Sequence, residues 1–530
     1  MTYARDDRTR RFTDLKQWWE THRIPVLAAF TINLLAFGYL FFTYIYTNHT
    51  FPNILQQGSP SFRTVLEGRW GADLIYFLQG RRGIPLFDLM LAVPVQIANG
   101  ILFARLLGLR DPLSVFLSAS LISAHPFVSD YYAFAGDHLV LVLGDTAILA
   151  AFLLVREWRR TGWAVAAAAV LIQFGLSCYQ PKIGLAATLW VLLLLAGIAR
   201  WDGTHEALRR NMREMLWHVI AIASAAVLYM VLLKLSQWWL GNPSADNSHS
   251  LKRLSVNQGA EILLQAGRAL MLTQDSLFEA DLFGTELQNL PGLMLALLAL
   301  LAGGRALSRA ANPRDRNWTL LLLLLSLGLL PFAMHAPHLI SIRTYDAGRI
   351  MMPTVYLSAF LPLMLLAITH SRPLRIAVLV VACFMCYRFV IASAEAGHLA
   401  HLRSLYEMQF ANRLTSRIEP MLDDTPRRRL ALVVVGLRRL PAVLTPSIRT
   451  RSNLNEHSFL SYRQVEMLNF LLGRDVLAFP NEAQTKRALN YAARNAVWPA
   501  EESVALLDDD LVVVIMERPH EKVVTTMVVP

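Results

Sequence analysis

Apolar runs of about twenty residues recur along this chain and limit what it can fold into. A helix needs about 20 apolar residues to cross a bilayer, and we predict eleven such segments: 25–46, 86–108, 113–124, 138–155, 163–178, 183–199, 215–237, 290–304, 319–340, 350–370 and 376–394. Of the 530 residues, 55% are hydrophobic and 17% are charged, against about 25% charged in soluble domains. The sequence therefore predicts a mainly α fold, a polytopic transmembrane helical bundle in a lipid bilayer.

The net charge of +11 indicates membrane topology and not nucleic-acid binding, since the basic residues lie mostly in short loops beside the apolar runs. With a cytoplasmic N-terminus, the inner loops hold about twice as many Arg and Lys residues as the outer ones. The positive-inside rule then predicts that the first loop, residues 47–85, and the C-terminal tail both lie on the outer side of the membrane.

Two domains are predicted, a membrane domain at 1–394 and a small outer α/β domain at 395–530. The tail contains the strand-like runs RLALVVVGL and DLVVVIME, with helical patterns between them. The three cysteines fall in or beside apolar runs without His or carboxylate partners. This pattern predicts no disulfide framework and no metal site.

The first outer loop, 47–85, is too polar to cross the membrane but keeps an apolar stripe, which is typical of a helix lying in the interface. Its candidates for acid or base chemistry are Glu67, Asp73 and His49. Arg69 precedes Asp73 by four residues, so we expect the two side chains to pair on the helix.

Two carboxylates follow the third apolar run in SAHPFVSDYYAFAGDHLVL. Asp130 and Asp137 are seven residues apart and have aromatic neighbours, including Tyr131. Aromatic rings that stack on sugar faces, beside acids that accept hydroxyl protons, indicate a sugar site. The alternative is an ordinary belt of interfacial tyrosines with solvated acids.

Two further outer loops carry polar residues next to apolar runs. In LSCYQPKIG, Tyr179 and Gln180 are candidates for hydroxyl binding and Lys182 for phosphate binding, or the loop is a plain turn. In HLISIRTYDAGRIMMP the candidates are Arg343, Tyr345, Asp346 and Arg349. The planar guanidinium of arginine suits phosphate binding. The alternative is an Arg–Asp pair that only holds the loop together.

These stretches together resemble the bacterial glucosyl transferase II family, which modifies O-antigen and is GT-C-like. Gly68-Arg69 with Asp73-Leu74-Ile75 is similar to the family's Gly-Arg stretch. His125-Pro126-Phe127-x-x-Asp130-x6-Asp137 is similar to its Asn-Pro-Phe-x-x-Glu-x6-Asp, and Ser177-x-Tyr179-Gln180-Pro181 to its Ser-Tyr-Gln break. Trp498-Pro499-x3-Ser503 with the run Leu511–Val514 is similar to its C-terminal ending.

The resemblance implies an inverting glycosyltransferase (a hexosyltransferase) of the bacterial inner membrane. It implies a polyprenyl-phosphate sugar donor, undecaprenyl-phosphate glucose, and a periplasmic glycan acceptor such as O-antigen of lipopolysaccharide, with no cofactor and no required metal. The catalytic candidates are then Asp137, Asp73, Glu67 and His49. Those for donor phosphate are Arg343, Arg349, Lys182 and Arg69, and those for sugar or acceptor are Asp130, Tyr131, Tyr179, Gln180, Tyr345 and Asp346.

One position departs from the family's pattern. Many members carry an acidic pair just after the first apolar segment, where this chain has Asn48-His49-Thr50. The base is then one of the four catalytic candidates, with Asp137 or an acid of the first loop favoured.

Three other functions are compatible with a polytopic chain. The same donor chemistry would serve glycosylation of a surface protein such as a pilin, with the tail recognising the protein. A lipid-linked sugar flippase or transporter would show internal repeats and mid-membrane charges. A structural scaffold would not need polar residues gathered on one side.

Overall fold

The computed structural model describes most of the chain. The described residues are 3–43, 45, 65–80, 84–132, 136–158, 162–240, 259–278, 287–310, 312–340, 348–423, 429–436, 444 and 464–518. Four predicted site residues, His49, Arg343, Tyr345 and Asp346, lie outside these ranges.

Every predicted apolar segment overlaps a helix. The helices of the first half are α1 (Tyr3–Phe37), α2 (Tyr39–Phe42), α3 (Trp70–Leu78), α4 (Pro85–Leu106), α5 (Pro112–Ser123), α6 (Val128–Tyr132), α7 (His138–Glu157), α8 (Gly162–Cys178), α9 (Ile183–Ala199) and α10 (His205–Trp239). Those of the second half are α11 (Gly259–Phe278), α12 (Leu290–Arg309), α13 (Pro313–Met334), α14 (Ala336–Ile340), α15 (Met352–Ile368), α16 (Arg372–Asp423), α17 (Gln464–Leu472) and α18 (Glu482–Ala492).

Seven helices among the described residues are long and apolar enough to cross a membrane, namely α4, α7, α9, α10, α12, α13 and α16. Helices α5, α8 and α15 are apolar but shorter, at 12, 17 and 17 residues. At 1.5 Å per residue they span about 18 to 26 Å, less than the roughly 30 Å of a hydrocarbon core. The helical class is confirmed, and the count of eleven crossings stays a prediction.

The short helices lie inside the bundle. Helix α15 is buried along nearly its whole length and packs against α5, α9, α12 and α16. Helix α7 packs against α4 and α8, and α8 also packs against α10. One continuous apolar core joins these helices, so the loops at each end of the bundle are brought close together.

Polar caps fix where several helices begin. Asp111 accepts a hydrogen bond from the Ser114 N–H at 2.9 Å at the start of α5, and Thr204 accepts one from Ala207 at 3.2 Å at the start of α10. Asn312 caps α13 in the same way. Each cap satisfies an N–H group that the first helical turn leaves unpaired.

Helix α16 runs for 52 residues from the bundle to a small mixed sheet. Its strands are β1 (Leu430–Val435), β2 (Leu477–Ala478), β3 (Val504–Leu507) and β4 (Leu511–Ile515), in the order β2-β1-β4-β3. Strand β1 runs parallel to β2 and β4, with Val433 opposite Val513, and β3 pairs antiparallel with β4.

Both faces of this sheet are covered, which explains its unbroken apolar strands. Leu432 and Val512 face the end of α16 and α17, while Val433 and Val513 face α18. The predicted strands in RLALVVVGL and DLVVVIME are confirmed, as are the two helices between them. Strands β2 and β3 were not predicted, because two to four residues carry too little periodic pattern.

Candidate functional site

Helix α3 lies where the first outer loop predicts an interfacial helix. It packs against α7 and α8 through Ala72 and Ile75, while Leu74, Phe77 and Leu78 are 49%, 62% and 74% exposed. An exposed apolar edge of this kind suits contact with lipid. The packing is close, since a Cβ on Gly71 would lie 2.3 Å from the Ser177 Oγ.

The Gly68-Arg69 turn leads into α3. Gly68 has φ +79°, a conformation that favours glycine. A Cβ there would also clash with the Tyr229 hydroxyl, so glycine is needed for both reasons. Arg69 lies 3.7 Å from the Glu67 carboxylate and donates to the Gln180 side-chain oxygen at 3.4 Å. The expected pairing of Arg69 with Asp73 is wrong, because the turn aims the guanidinium at the α8–α9 junction instead.

Gln180 and Tyr179 form the α8–α9 junction and meet the first loop. The Gln180 side-chain amide donates to the Glu67 backbone carbonyl at 2.5 Å. The Arg69 guanidinium lies 5.8 Å from the centre of the Tyr179 ring, close enough for a cation–π contact. The two predicted binding loops therefore touch.

Arg349 joins the same cluster from the start of α15. Its Nε donates to the Tyr179 hydroxyl at 2.9 Å, and its backbone N–H donates to the Asp130 carboxylate at 2.7 Å. The Arg349 Nη1 lies 3.5 Å from the same carboxylate oxygen. Asp130 is fully buried, so it acts as an anchor that fixes the arginine.

The His125-Pro126-Phe127 turn places Asp130. The Phe127 N–H donates to the His125 Nδ1 at 3.1 Å, and helix α6 begins at the next residue. Asp130 lies in the first turn of α6, where a carboxylate also interacts favourably with the helix N-terminus.

Asp137 is the N-cap residue of α7 and is half-buried. The Tyr76 hydroxyl of α3 donates to its carboxylate. Burial raises the pKa of Asp137 above its usual range, while the Tyr76 hydrogen bond and the positive charges of Arg69 and Arg349 act in the opposite direction. A half-buried acid near two guanidiniums is able both to ionise and to take up a proton.

Lys182 has a different place from the one predicted. Its ammonium pairs with the buried Asp145 carboxylate, and it donates to the Tyr131 hydroxyl at 2.8 Å and to the Leu141 carbonyl at 2.7 Å. An ammonium has three N–H donors, and all three are taken. The predicted phosphate contact of Lys182 is therefore corrected to a structural one.

Tyr131 needs the same correction. It is fully buried, and its hydroxyl lies 3.2 Å from each oxygen of Asp145. A ring enclosed in the core has no face left for a sugar, so Tyr131 supports the site from behind.

Three residues in or next to the site were missed from the sequence. Asp145 and Asp88 are ionisable residues inside apolar runs, a signal that marks candidate sites. Asp88 is buried, accepts from Gln79 and lies within the field of Asp137. Tyr76 carries no such signal, because an aromatic residue is common in any interfacial helix.

The structure thus brings most of the described candidates to one end of the bundle. The cluster, called the polar cluster below, consists of Glu67, Arg69, Tyr76, Asp130, Asp137, Tyr179, Gln180 and Arg349. Asp73 lies in the first turn of α3, partly exposed. Within the described ranges, no group of three or more His, Cys, Asp or Glu residues could hold a metal ion, and metal independence stays a prediction.

Comparison with known proteins agrees with the motifs of the membrane domain. No curated protein matches the chain. The family model described as glucosyl transferase GtrII matches residues 35–392, which is about two thirds of the chain and includes every residue of the polar cluster. The chain belongs to the glucosyl transferase GtrII family.

Proposed function

We propose that this protein transfers glucose from a polyprenyl-phosphate donor to a periplasmic glycan such as O-antigen, with inversion at the anomeric carbon. The family supports glucosyl transfer. The observation that supports the rest is the polar cluster, where the positive charges of Arg69 and Arg349 act on the Asp137 carboxylate beside a helix with an exposed apolar edge. A lipid-linked donor needs that combination, because its phosphate and sugar sit at the membrane surface.

Asp137 is the proposed general base. It is the acid of the polar cluster on which Arg69 and Arg349 both act. The carboxylate takes the proton of the acceptor hydroxyl, and the hydroxyl oxygen attacks the anomeric carbon while the bond from that carbon to the phosphate oxygen breaks. A base of this kind typically contributes 10²- to 10⁴-fold to the rate.

Arg69 and Arg349 are the proposed phosphate ligands. Negative charge grows on the lipid phosphate as it leaves, and guanidinium groups fixed in advance stabilise it. Both are held by other residues, Arg69 by Glu67 and Gln180, and Arg349 by Asp130 and Tyr179. The carboxylate of Asp130 is thus a positioning group for Arg349.

The test uses the full-length protein in detergent with radiolabelled polyprenyl-phosphate glucose and lipopolysaccharide as acceptor. Asp137→Asn is expected to lower the transfer rate by about 100-fold or more, with an unchanged unfolding temperature. Asp509→Asn serves as the matched control, because Asp509 is an exposed carboxylate of the β3–β4 turn, and it should transfer at the wild-type rate.

Glu67→Gln and Asp73→Asn are measured beside it as the competing bases. Full activity of Asp137→Asn together with loss in one of these variants would move the base to α3 or to the turn before it. A wild-type protein that does not use polyprenyl-phosphate glucose with any glycan or pilin acceptor would reject the proposed donor.

A further inference from the structure

A basic cavity lies at the opposite end of the bundle from the polar cluster. It opens between the last turns of α7 and α9 and the first turns of α10, and has a volume of about 160 Å³. Asp137 caps the start of α7 and Arg156 lies in the last turn of the same helix, 19 residues on. At 1.5 Å per residue the cavity is about 30 Å from the polar cluster, on the other side of the membrane.

The charged lining of this cavity is mainly positive. Arg156, Arg200 and Arg210 line it together with two carboxylates, Asp202 and Glu214. The Arg156 Nε lies 3.6 Å from the Glu214 carboxylate. Asp202 is exposed and already accepts from the Thr204 N–H and hydroxyl at 3.0 and 2.7 Å. One positive charge in the lining therefore exceeds the carboxylates present.

The positive charges of the cavity lie close enough together to repel one another, as the pKa of Arg200 indicates. Its guanidinium donates to the backbone carbonyls of Leu107 and Ala196, which fixes it beside Arg156. Burial and the like charge of Arg156 lower the pKa of Arg200 to about 10, although the Glu214 carboxylate acts in the opposite direction. An anion in the cavity would relieve this repulsion and gain charge-assisted hydrogen bonds.

The position of the cavity at helix ends places it at the level of lipid headgroups. Trp158 and Trp163, both 53% exposed, lie just past the end of α7 and at the start of α8, with ring centroids 5.4 Å apart. Exposed tryptophans of this kind mark the membrane–water interface. Leu193 and Leu194 also line the cavity, so apolar side chains lie there beside the charged ones.

We propose that this cavity binds a phosphate group, with Arg156, Arg200 and Arg210 as its ligands, and that an anionic phospholipid headgroup supplies it. The volume is well above the roughly 10–15 Å³ of cavity that one water needs. Basic pockets between membrane helices on the cytoplasmic side bind anionic headgroups in this way. The site is independent of the transfer chemistry proposed above.

The experiment titrates the full-length protein in detergent with dioleoyl phosphatidylglycerol and measures binding by native mass spectrometry. Dioleoyl phosphatidylcholine, with the same chains and no net charge, is the lipid control, and glycerol 1-phosphate is the soluble-phosphate control. We expect one tightly bound phosphatidylglycerol, and much weaker binding of both controls.

Arg210→Gln is the principal variant, because Arg210 is exposed on α10 and its loss spares the fold. It should weaken phosphatidylglycerol binding about tenfold, the effect of losing one hydrogen bond to a charged group, and Arg156→Gln/Arg210→Gln should weaken it further. Arg209→Gln is the matched control, an exposed arginine one residue away that does not line the cavity, and it should bind as the wild type does.

Two results would overturn the proposal. Equal affinity in Arg210→Gln, in the double variant and in Arg209→Gln would mean that general surface charge attracts the lipid. Glycerol 1-phosphate that binds as tightly as phosphatidylglycerol would assign the cavity to a soluble phosphate compound and not to a lipid.

Discussion

The hydrogen bond from Tyr76 to Asp137 connects the interfacial helix to the proposed base. Burial and the nearby Asp137 carboxylate raise the pKa of Tyr76 well above its usual value of 10, so the phenol stays protonated and donates. A donor stabilises the ionised carboxylate, and it therefore lowers the pKa of Asp137 against the effect of burial.

Tyr76→Phe removes that donor and should raise the pKa of Asp137. A base works only when ionised, so the acid limb of the pH–rate profile should move to higher pH, by about one pH unit if the hydrogen bond contributes 1.5 kcal/mol. The measurement is kcat against pH. Tyr387→Phe, at an exposed position of α16, should leave the profile in place, and an unmoved profile in Tyr76→Phe would disconnect the phenol from the base.

For Lys182, a structural role and a phosphate-binding role predict different experimental results. Lys182→Met leaves the buried Asp145 carboxylate without its cation, which should lower the unfolding free energy by about 3–5 kcal/mol. Lys182→Met/Asp145→Asn removes both charges and should recover most of that loss. Both are followed by thermal unfolding in detergent. A phosphate role predicts instead a higher donor KM and an unchanged unfolding temperature.

At the scale of elements, α3 is positioned by one close approach. The Gly71 position lies against Ser177 and the backbone of α8, where an added Cβ would come within 3.1 Å of the Phe174 carbonyl and of the Cys178 N–H. Helix α3 carries Tyr76 and follows Arg69, so its seating on α8 determines the geometry of the polar cluster.

Gly71→Ala should push α3 away and lower the transfer rate on the order of 100-fold, the size of effect that a 1 Å misplacement of reacting groups produces. The unfolding temperature should change little, because α3 has only nine residues. Gly267→Ala, on α11 where nothing lies within 4 Å of the added carbon, should retain full activity. Comparable activity in the two variants would show that α3 tolerates displacement.

The sequence indicated which residues lie together at one end of the bundle, but not which side chains contact one another there. Asp130, Asp137, Tyr179 and Arg349 each follow or precede an apolar run at the same predicted side, and alternating helices must bring those ends together. The partner of Lys182 was beyond reach, because Asp145 is 37 residues away on another helix and only tertiary packing pairs them. Arg69 likewise donates to Gln180, which is 111 residues away in the chain, because only tertiary packing brings the two together.

At the scale of the whole molecule, the contacts between loops lie at the two opposite ends of the helical bundle. Arg349, which precedes α15, donates hydrogen bonds to Tyr179, which follows α8, and to Asp130 on α6. At the other end Arg105 of α4 pairs with Glu157 of α7 at 2.6 Å, and the Arg156–Glu214 pair lies beside the basic cavity. We therefore expect the arginine-rich end of the bundle to lie on the cytoplasmic side, as the positive-inside rule predicts.

This topology predicts that the C-terminal sheet shares the side of the polar cluster, the periplasm. In a Cys383→Ser background, with Cys178 and Cys386 buried, Arg494→Cys places a single accessible thiol just after α18, and Arg209→Cys places one on α10 near the basic cavity. Both arginines are exposed. A membrane-impermeant maleimide applied to intact spheroplasts should label Arg494→Cys at once and Arg209→Cys only after permeabilisation. The reverse order would turn the bundle over and put the polar cluster in the cytoplasm, where no periplasmic glycan reaches it.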